Sequence, residues 1–152
     1  MKFVDLFCGA GGVTSGIENA MHSGKKIAEV IACVNHDPLA IESHYSNHPN
    51  AVHYTEDIRT LNIEPLIELV NEHRYDYICL WASLECTNFS KAKGGLPRDA
   101  DSRTLANDLL RYIDGIDPDY IFIENVEEFM SWGPLNEHGK PISKLEGQDY
   151  IQ

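Results

Sequence analysis

Cys86 is the side chain of this sequence that is best placed to act as a nucleophile. It comes shortly after residues 75–81, an apolar run with the composition of a buried strand. The residues that follow it, up to position 98, carry positive charges and no acid. A nearby positive charge favours the thiolate, which is the reactive form of cysteine. An inert core cysteine is the alternative, and the polar neighbours of Cys86 argue against it.

The same basic segment is where this chain could contact a phosphate. Its candidate contacts are Ser90, Lys91, Lys93 and Arg98. The whole chain has a formal net charge of -12, which opposes tight binding of nucleic acid by this chain alone. A solvated loop that happens to be basic is the alternative reading of the segment.

A glycine-rich turn follows the first apolar run, residues 2–7. The turn consists of Gly9, Ala10, Gly11 and Gly12. Glycines allow a tight turn and the close approach of a ligand to the backbone, and a helix that begins near Val13 offers free N–H groups there. A dinucleotide fingerprint would need glycine at its sixth position, where this sequence has Thr14. A purely structural turn remains the other alternative.

Apolar runs alternate with helical periodicity along the chain. Strands are predicted at residues 2–7, 27–34, 51–54, 75–81 and 120–123, and helices at 13–21, 38–45, 65–73 and 104–113. Nearly continuous apolar strands separated by helices predict an α/β fold, a mostly parallel sheet with helices on both faces. After Trp132 the periodicity fades, and residues 133–152 look like loop.

Three further sets of residues follow predicted strands, and each is uninformative when taken alone. Asn35 and His36 follow the second strand, Asp57 and Ile58 the third, and Glu124 ends the fifth. Ligands of parallel sheets bind at the carboxyl ends of the strands. We therefore expect these residues to gather near the glycine-rich turn, although His36 could equally be an ordinary surface residue.

Length and composition limit the possible classes of protein. The 152 residues suit a single domain with a real core. No apolar run reaches the roughly 20 residues that span a bilayer, and the first residues do not resemble a signal peptide. We therefore expect a cytoplasmic location and no membrane partner. His44 and His48 lie four residues apart and could ligate zinc, but no paired carboxylate lies nearby in the sequence, and the chain has no Cys-x-x-Cys pair, so we expect no bound metal.

Taken together, the motifs resemble those of the DNA cytosine-5 methyltransferases. Asp-Leu-Phe-Cys-Gly-Ala-Gly-Gly at residues 5–12 is similar to the opening motif of that family. Cys86 with Phe89-Ser90 resembles its nucleophile motif, although Glu-Cys-Thr replaces the commoner Pro-Cys-Gln, and Glu-Asn-Val at residues 124–126 resembles the next motif. The motifs occur in the family's order, and the resemblance extends from about residue 3 to residue 132.

The resemblance implies a Rossmann-like, S-adenosylmethionine-dependent methyltransferase fold, for which we expect the strand order 3-2-1-4-5. It implies that the glycine-rich turn wraps the methionine part of S-adenosylmethionine and that Phe7 packs on the adenine. Asn35 occupies the place of the usual ribose-binding acid, so we expect cofactor binding to be weak. His36 and Asp57-Ile58 take the positions that contact the adenine.

The resemblance also implies a reaction. In the family, the cysteine that corresponds to Cys86 adds to C6 of a flipped cytosine, and the acid that corresponds to Glu124 contacts the ring nitrogen and exocyclic amine. The methyl group then passes to C5, with S-adenosylhomocysteine as the product. Stabilising the charged ring calls for a carboxylic acid that is shielded from water, and flipping the base costs a few kcal/mol.

The family's later parts have no counterpart here. We expect residues 1–132 to form the cofactor-binding and catalytic subdomain and residues 133–152 to lead toward missing parts, so the chain is expected to be a fragment or a natural truncation. Double-stranded DNA would be bound through the missing half, as in restriction-modification enzymes. The alternatives are a non-catalytic module that binds S-adenosylmethionine or a partner, a tRNA cytosine-5 methyltransferase relative and, more distantly, a dinucleotide-binding enzyme.

Overall fold

The structure of the chain is a computed structural model that describes residues 1–84 and 100–125, with the backbone alone for residues 100–107. The predicted site residues Cys86, Ser90, Lys91, Lys93 and Arg98 lie outside the described residues. By its internal contacts the chain divides into two units: residues 1–84 with 105–124, and residues 85–104 with 125–152. The expected boundary at residue 132 stays a prediction.

Strands and helices alternate along the described residues. The strands are β1 (Lys2–Leu6), β2 (Met21–His22), β3 (Lys25–Lys26), β4 (Glu29–Asn35), β5 (Val52–Thr55), β6 (Ile78–Ser83) and β7 (Tyr120–Glu124). The helices are α1 (Gly12–Glu18), α2 (Pro38–Asn47), α3 (Glu64–Asn71) and α4 (Ala100–Ile116). None of the described helices is long and apolar enough to cross a membrane.

Five strands form one parallel sheet in the order β5-β4-β1-β6-β7. Counted along the five predicted strands, this is the order 3-2-1-4-5, so the predicted α/β fold and its strand order are confirmed. The register aligns the carboxyl ends: Leu6 pairs with both Val34 and Ala82, and Ser83 pairs with Glu124. The loops that follow all five strands therefore leave the same edge of the sheet.

The predicted first helix is too long at its carboxyl end. We expected helix over residues 13–21, but α1 ends at Glu18, and Met21 belongs to a two-stranded antiparallel hairpin with β3. Ser23 and Gly24 turn this hairpin with φ angles of 50° and 75°. The hairpin strands are two residues long and fully exposed, so no apolar periodicity marks them in the sequence.

The central strands are buried on both faces, as the nearly continuous apolar runs predicted. Ile17 of α1 packs in one cluster with Phe3, Val30 and Cys79 on one face of the sheet. α4 packs on α3 so closely that a Cβ added at Gly115 would lie 3.0 Å from the side chains of Ile63 and Ile67. β7 differs, because Ile121, Phe122 and Ile123 are all exposed, and Phe122 stacks on Trp81 of β6.

Helix α4 holds the loop that follows β5. The buried hydroxyl of Tyr112 donates to the carbonyl of Ile58 at 2.7 Å. The guanidinium of Arg111 donates to the carbonyls of Arg59, at 2.7 Å, and Leu61. The loop beginning at Asp57 is thus fixed by a helix that lies more than fifty residues away in sequence.

We expect Tyr112→Phe to lower the free energy of unfolding by about 1–2 kcal/mol, because the buried Ile58 carbonyl loses its donor. Chemical denaturation monitored by circular dichroism measures the change. Tyr75→Phe is the matched control, since Tyr75 is fully exposed and should shift stability by less than about 0.5 kcal/mol. Equal stability of the two variants would show that the Tyr112 hydroxyl does not hold the loop.

Candidate cofactor and catalytic site

The turn after β1 has an unusual backbone. Phe7, Gly9 and Gly11 adopt positive φ angles of 61°, 52° and 95°. For Phe7 this conformation is uncommon, and such residues are concentrated at functional sites. The amide of Cys8 donates to the carbonyl of Val34, which ties the turn to β4. The sequence motif marked the glycines of this turn, but nothing in it signalled the positive φ of Phe7.

The glycines of the turn have two different roles. Among the described residues, a Cβ placed on Gly9 or Gly12 would meet no atom within 4 Å, and Ala10 is exposed beside them. A Cβ on Gly11 would lie 2.7 Å from the ring of His48 and 3.1 Å from that of His44. The turn is therefore open on the side where a ligand could approach and closely packed on the other.

Asn35 and His36 end β4 beside this turn. The side-chain oxygen of Asn35 accepts from the amide of Asp37 at 2.9 Å, and Asp37 in turn caps α2 by accepting from the amide of Leu39. Asn35 therefore uses its oxygen within the chain, while its side-chain amide group can donate. His36 is exposed.

Asp57 begins the loop after β5, and the adjacent Ile58 is buried. Arg59 binds the Asp57 carboxylate through both its side chain and its backbone amide, with Nε 3.0 Å from each oxygen. Arg59 is the main cause that lowers the pKa of Asp57 to about 2, and the charge of His36 contributes. Asp57 is therefore ionised at neutral pH, and His36 lies near enough to act on it across the ends of β4 and β5.

Glu124 ends β7, and its side chain is exposed. It pairs in register with Ser83, the last residue of β6. Cys86 follows Ser83 by three positions in the sequence. The predicted nucleophile thus follows β6 in the sequence, and the predicted acid ends β7, the strand next to β6. β6 also lies directly beside β1, the strand that the glycine-rich turn follows.

A buried polar chain that sequence reasoning missed lies beneath the turn. The Thr14 hydroxyl donates to the carboxylate of Asp5 at 2.8 Å and lies 2.9 Å from Nε2 of His44. Burial is the largest cause that raises the pKa of Asp5 to about 6 and the largest that lowers the pKa of His44 to about 4. Among the described residues, the second Asp5 oxygen has no partner.

A second polar chain starts from His48. Its Nδ1 lies 2.9 Å from the Glu18 carboxylate, and its Nε2 lies 3.0 Å from the hydroxyl of Ser15, which donates to the carbonyl of Gly11. His44 and His48 both face α1 and the turn, so their spacing of four residues places both rings against the same two elements. The sequence carries no signal for this, because the partners lie about thirty residues apart.

A cleft at the opposite edge of the sheet contains none of the predicted site residues. It is lined by the starts of β1, β4 and β5, and its charged residues include Lys2, Glu29 and Asp76. Lys2 forms ion pairs with both of these acids. The charges of the cleft therefore neutralise one another and do not converge on a ligand.

Gly11→Ala tests the packing of the turn on the two histidines. We expect it to lower the free energy of unfolding by about 1–3 kcal/mol, because the new Cβ would overlap the His48 ring at a φ that alanine rarely adopts. Gly16→Ala in α1 is the matched control: its Cβ would meet nothing within 4 Å, and it should raise stability by about 0.5–1 kcal/mol. Urea denaturation would contradict the packing if both variants were stabilised.

Comparison with known proteins agrees with the motifs. Residues 1–151 match the model of the C-5 cytosine-specific DNA methylases. The chain is 30% identical over 132 residues to the type II methyltransferase M.AgeI of Thalassovita gelatinovora, an alignment that covers 86% of this chain and 29% of the relative. It is 28% identical over 150 residues to the DNA-cytosine methyltransferase of Escherichia coli K12, with 86% and 30% covered.

A solved structure agrees as well. An Escherichia coli prophage protein described as a DNA modification methyltransferase superposes with a TM-score of 0.66 at 25% identity, covering 86% of this chain and 33% of that one. This chain therefore spans about a third of the length of each of these three proteins. The matched residues include every motif at the carboxyl edge of the sheet, and the chain belongs to the family of C-5 cytosine-specific DNA methylases.

Proposed function

We propose that this chain binds S-adenosylmethionine at the carboxyl edge of its sheet and contributes the nucleophile and the acid for methylation of cytosine C5 in DNA. The observation that carries the proposal is the register of the sheet, which brings the ends of β1, β4, β5 and β7 to one edge. The glycine-rich turn, Asn35, Asp57 and Glu124 follow or end these strands.

The residues of this edge fit the proposed cofactor. Gly9 and Gly12 leave open space for the methionine part, and the partly exposed Phe7 offers an aromatic face for the adenine. Asn35 can donate to a ribose hydroxyl, and the ionised Asp57 can accept from the adenine amine beside His36 and Ile58. When bound, S-adenosylmethionine supplies an electrophilic methyl group on its sulfonium.

Cys86 and Glu124 would act on the cytosine. Addition of the Cys86 thiolate to C6 turns C5 into an enamine carbon, which makes a poor nucleophile reactive. Glu124, protonated and in contact with N3, would stabilise the charge that the ring acquires. A carboxylic acid keeps that role only where water is excluded, so the exposed Glu124 must be covered when the base is bound. Once C5 carries the methyl group, a base would remove the C5 proton and the C6–S bond would break, which releases the Cys86 thiolate.

DNA would reach this site through the segment after Cys86, where Ser90, Lys91, Lys93 and Arg98 can contact phosphates. The chain's net charge of -12 opposes the phosphate backbone elsewhere. Because the chain covers only 29% of the T. gelatinovora relative and 30% of the E. coli K12 relative, we propose that duplex recognition needs residues beyond these 152.

The first test is cofactor binding by isothermal calorimetry. We expect weak but measurable binding of S-adenosylmethionine and S-adenosylhomocysteine, and no binding of NAD. Phe7→Ala should weaken binding about tenfold through loss of the adenine contact. Asn35→Asp should strengthen it about tenfold, because a carboxylate is the stronger acceptor for ribose hydroxyls.

Asn47→Asp is the control for charge, since Asn47 lies at the far end of α2 and should leave the affinity unchanged. Equal affinity for NAD would remove the methyltransferase assignment. If Asn35→Asp bound no better than Asn47→Asp, the proposed ribose contact would be wrong.

The second test is covalent trapping by DNA that carries 5-fluorocytosine, because fluorine at C5 blocks the final elimination. We expect no useful methylation of duplex DNA by the 152 residues alone. A chimaera in which they replace the matched region of the T. gelatinovora relative should form the adduct. Cys86→Ser should abolish it, and Glu124→Gln should slow its formation by about 100-fold.

Cys79→Ala serves as the control, because Cys79 is buried in the core. Adducts are counted by denaturing gel electrophoresis. An adduct that survives Cys86→Ser would move the nucleophile elsewhere. Efficient methylation by the isolated chain would contradict the need for further residues, and a chimaera that binds cofactor but never forms an adduct would favour a non-catalytic binding module.

A further inference from the structure

Three metal-ligating side chains meet in the core directly beneath the glycine-rich turn. Cys8, Cys33 and His44 are all buried, and one ligand atom from each lies within 4.8 Å of the others. They come from three elements: the turn after β1, the middle of β4 and the middle of α2. Sequence spacing could not reveal this group, because its members are separated by 25 and 11 positions.

The hydrogen bonds of His44 orient it as a ligand. Thr14 uses its single proton toward Asp5, so Nε2 of His44 must donate to the Thr14 hydroxyl. Nδ1 therefore carries the lone pair and faces Cys33 Sγ at 3.7 Å. In a metal-bound histidine, the N–H of the other ring nitrogen typically donates a hydrogen bond that leads to a carboxylate. Here the hydrogen bonds lead from His44 through Thr14 to Asp5.

A fourth donor lies next to His44. Nε2 of His53, from β5, is 2.9 Å from Nδ1 of His44. Cys33 and His53 are register partners on adjacent strands, and the His53 ring also hydrogen-bonds to the backbone of Ala51. The half-buried His53 can therefore complete a set of two sulfurs and two nitrogens.

We propose that Cys8, Cys33 and His44, with His53 as fourth ligand, form a structural site for a thiophilic divalent cation, zinc being the best match. Two thiolates and two imidazoles that meet in a protein core are a typical structural zinc set. This proposal departs from the expectation of no metal, which rested on sequence spacing alone.

The distances are close to those that zinc requires. With Zn–S near 2.3 Å and Zn–N near 2.0 Å, a tetrahedral site separates sulfur from nitrogen by about 3.6 Å and two nitrogens by about 3.3 Å. The Cys33–His44 separation of 3.7 Å already fits, and the two histidines must move apart by a few tenths of an ångström. Binding would release the protons of both thiols, so the affinity should rise with pH.

Cobalt(II) substitution tests the site in the complete 152-residue chain. The protein is stripped with a chelator under a phosphine reductant and titrated with cobalt(II), followed by zinc. We expect one cobalt per chain, with thiolate-to-cobalt charge-transfer absorption in the near ultraviolet and the visible bands of a tetrahedral ion. Zinc should displace the cobalt and remove both sets of bands.

Cys33→Ala should abolish the charge-transfer absorption, whereas Cys79→Ala should retain it. The two cysteines are matched, because both are fully buried, on the two strands that flank β1 in the same sheet. Thr14→Val, which interrupts the relay from His44 to Asp5, should weaken cobalt binding by about tenfold or more. Bands that persist in Cys33→Ala would overturn the site.

X-ray absorption at the zinc edge of the wild-type protein gives a test that needs no variant to fold. Two sulfur and two nitrogen ligands are the expected shell, with zinc–sulfur distances near 2.3 Å. A shell of nitrogen and oxygen alone would place the metal on surface histidines and overturn the proposal, as would the absence of stoichiometric binding. Because neither experiment involves S-adenosylmethionine or DNA, their outcome is independent of the proposed function.

Discussion

The site depends on how closely the backbone at Gly11 approaches the rings of His44 and His48. No Cβ fits between them, so the turn after β1 can rest on α2 only with glycine at this position. The rings are themselves fixed by hydrogen bonds to Thr14 and Ser15 of α1. The same contact therefore fixes the turn and the two helices that flank it, and it leaves Gly9 and Gly12 open toward a ligand.

The neighbouring loop is held by different means. Hydrogen bonds from α4 fix the carbonyls of Ile58, Arg59 and Leu61, and the carboxylate of Asp57 is held by Arg59. A ligand amine at Asp57 must share the carboxylate with this guanidinium. The carboxyl edge thus combines a turn packed on histidines with a loop bound to a helix, and the parallel sheet places the two at the same edge, on either side of β4.

The parallel strands were predictable because buried parallel strands are nearly continuous apolar runs such as residues 30–34, and the motifs that follow them marked the edge of the sheet. The strand order came from the family resemblance. It could not predict the β2–β3 hairpin, whose exposed residues have no periodicity. The buried polar chain of Asp5, Thr14 and His44 could not be predicted either, because these side chains meet only once α1 and α2 pack on the same face of the sheet. Asp57 was identified by its place after a strand, whereas its binding to Arg59 depends on the local turn.

A crystal structure of the chain grown with S-adenosylhomocysteine tests the central claim most directly, because the cleft at the opposite edge of the sheet is an alternative place for the ligand. The account predicts density against Gly9 and Gly12, with the adenine on Phe7 and within hydrogen-bonding distance of Asp57. Density in the cleft lined by Lys2, Glu29 and Asp76, with the glycine-rich turn left bare, would contradict it.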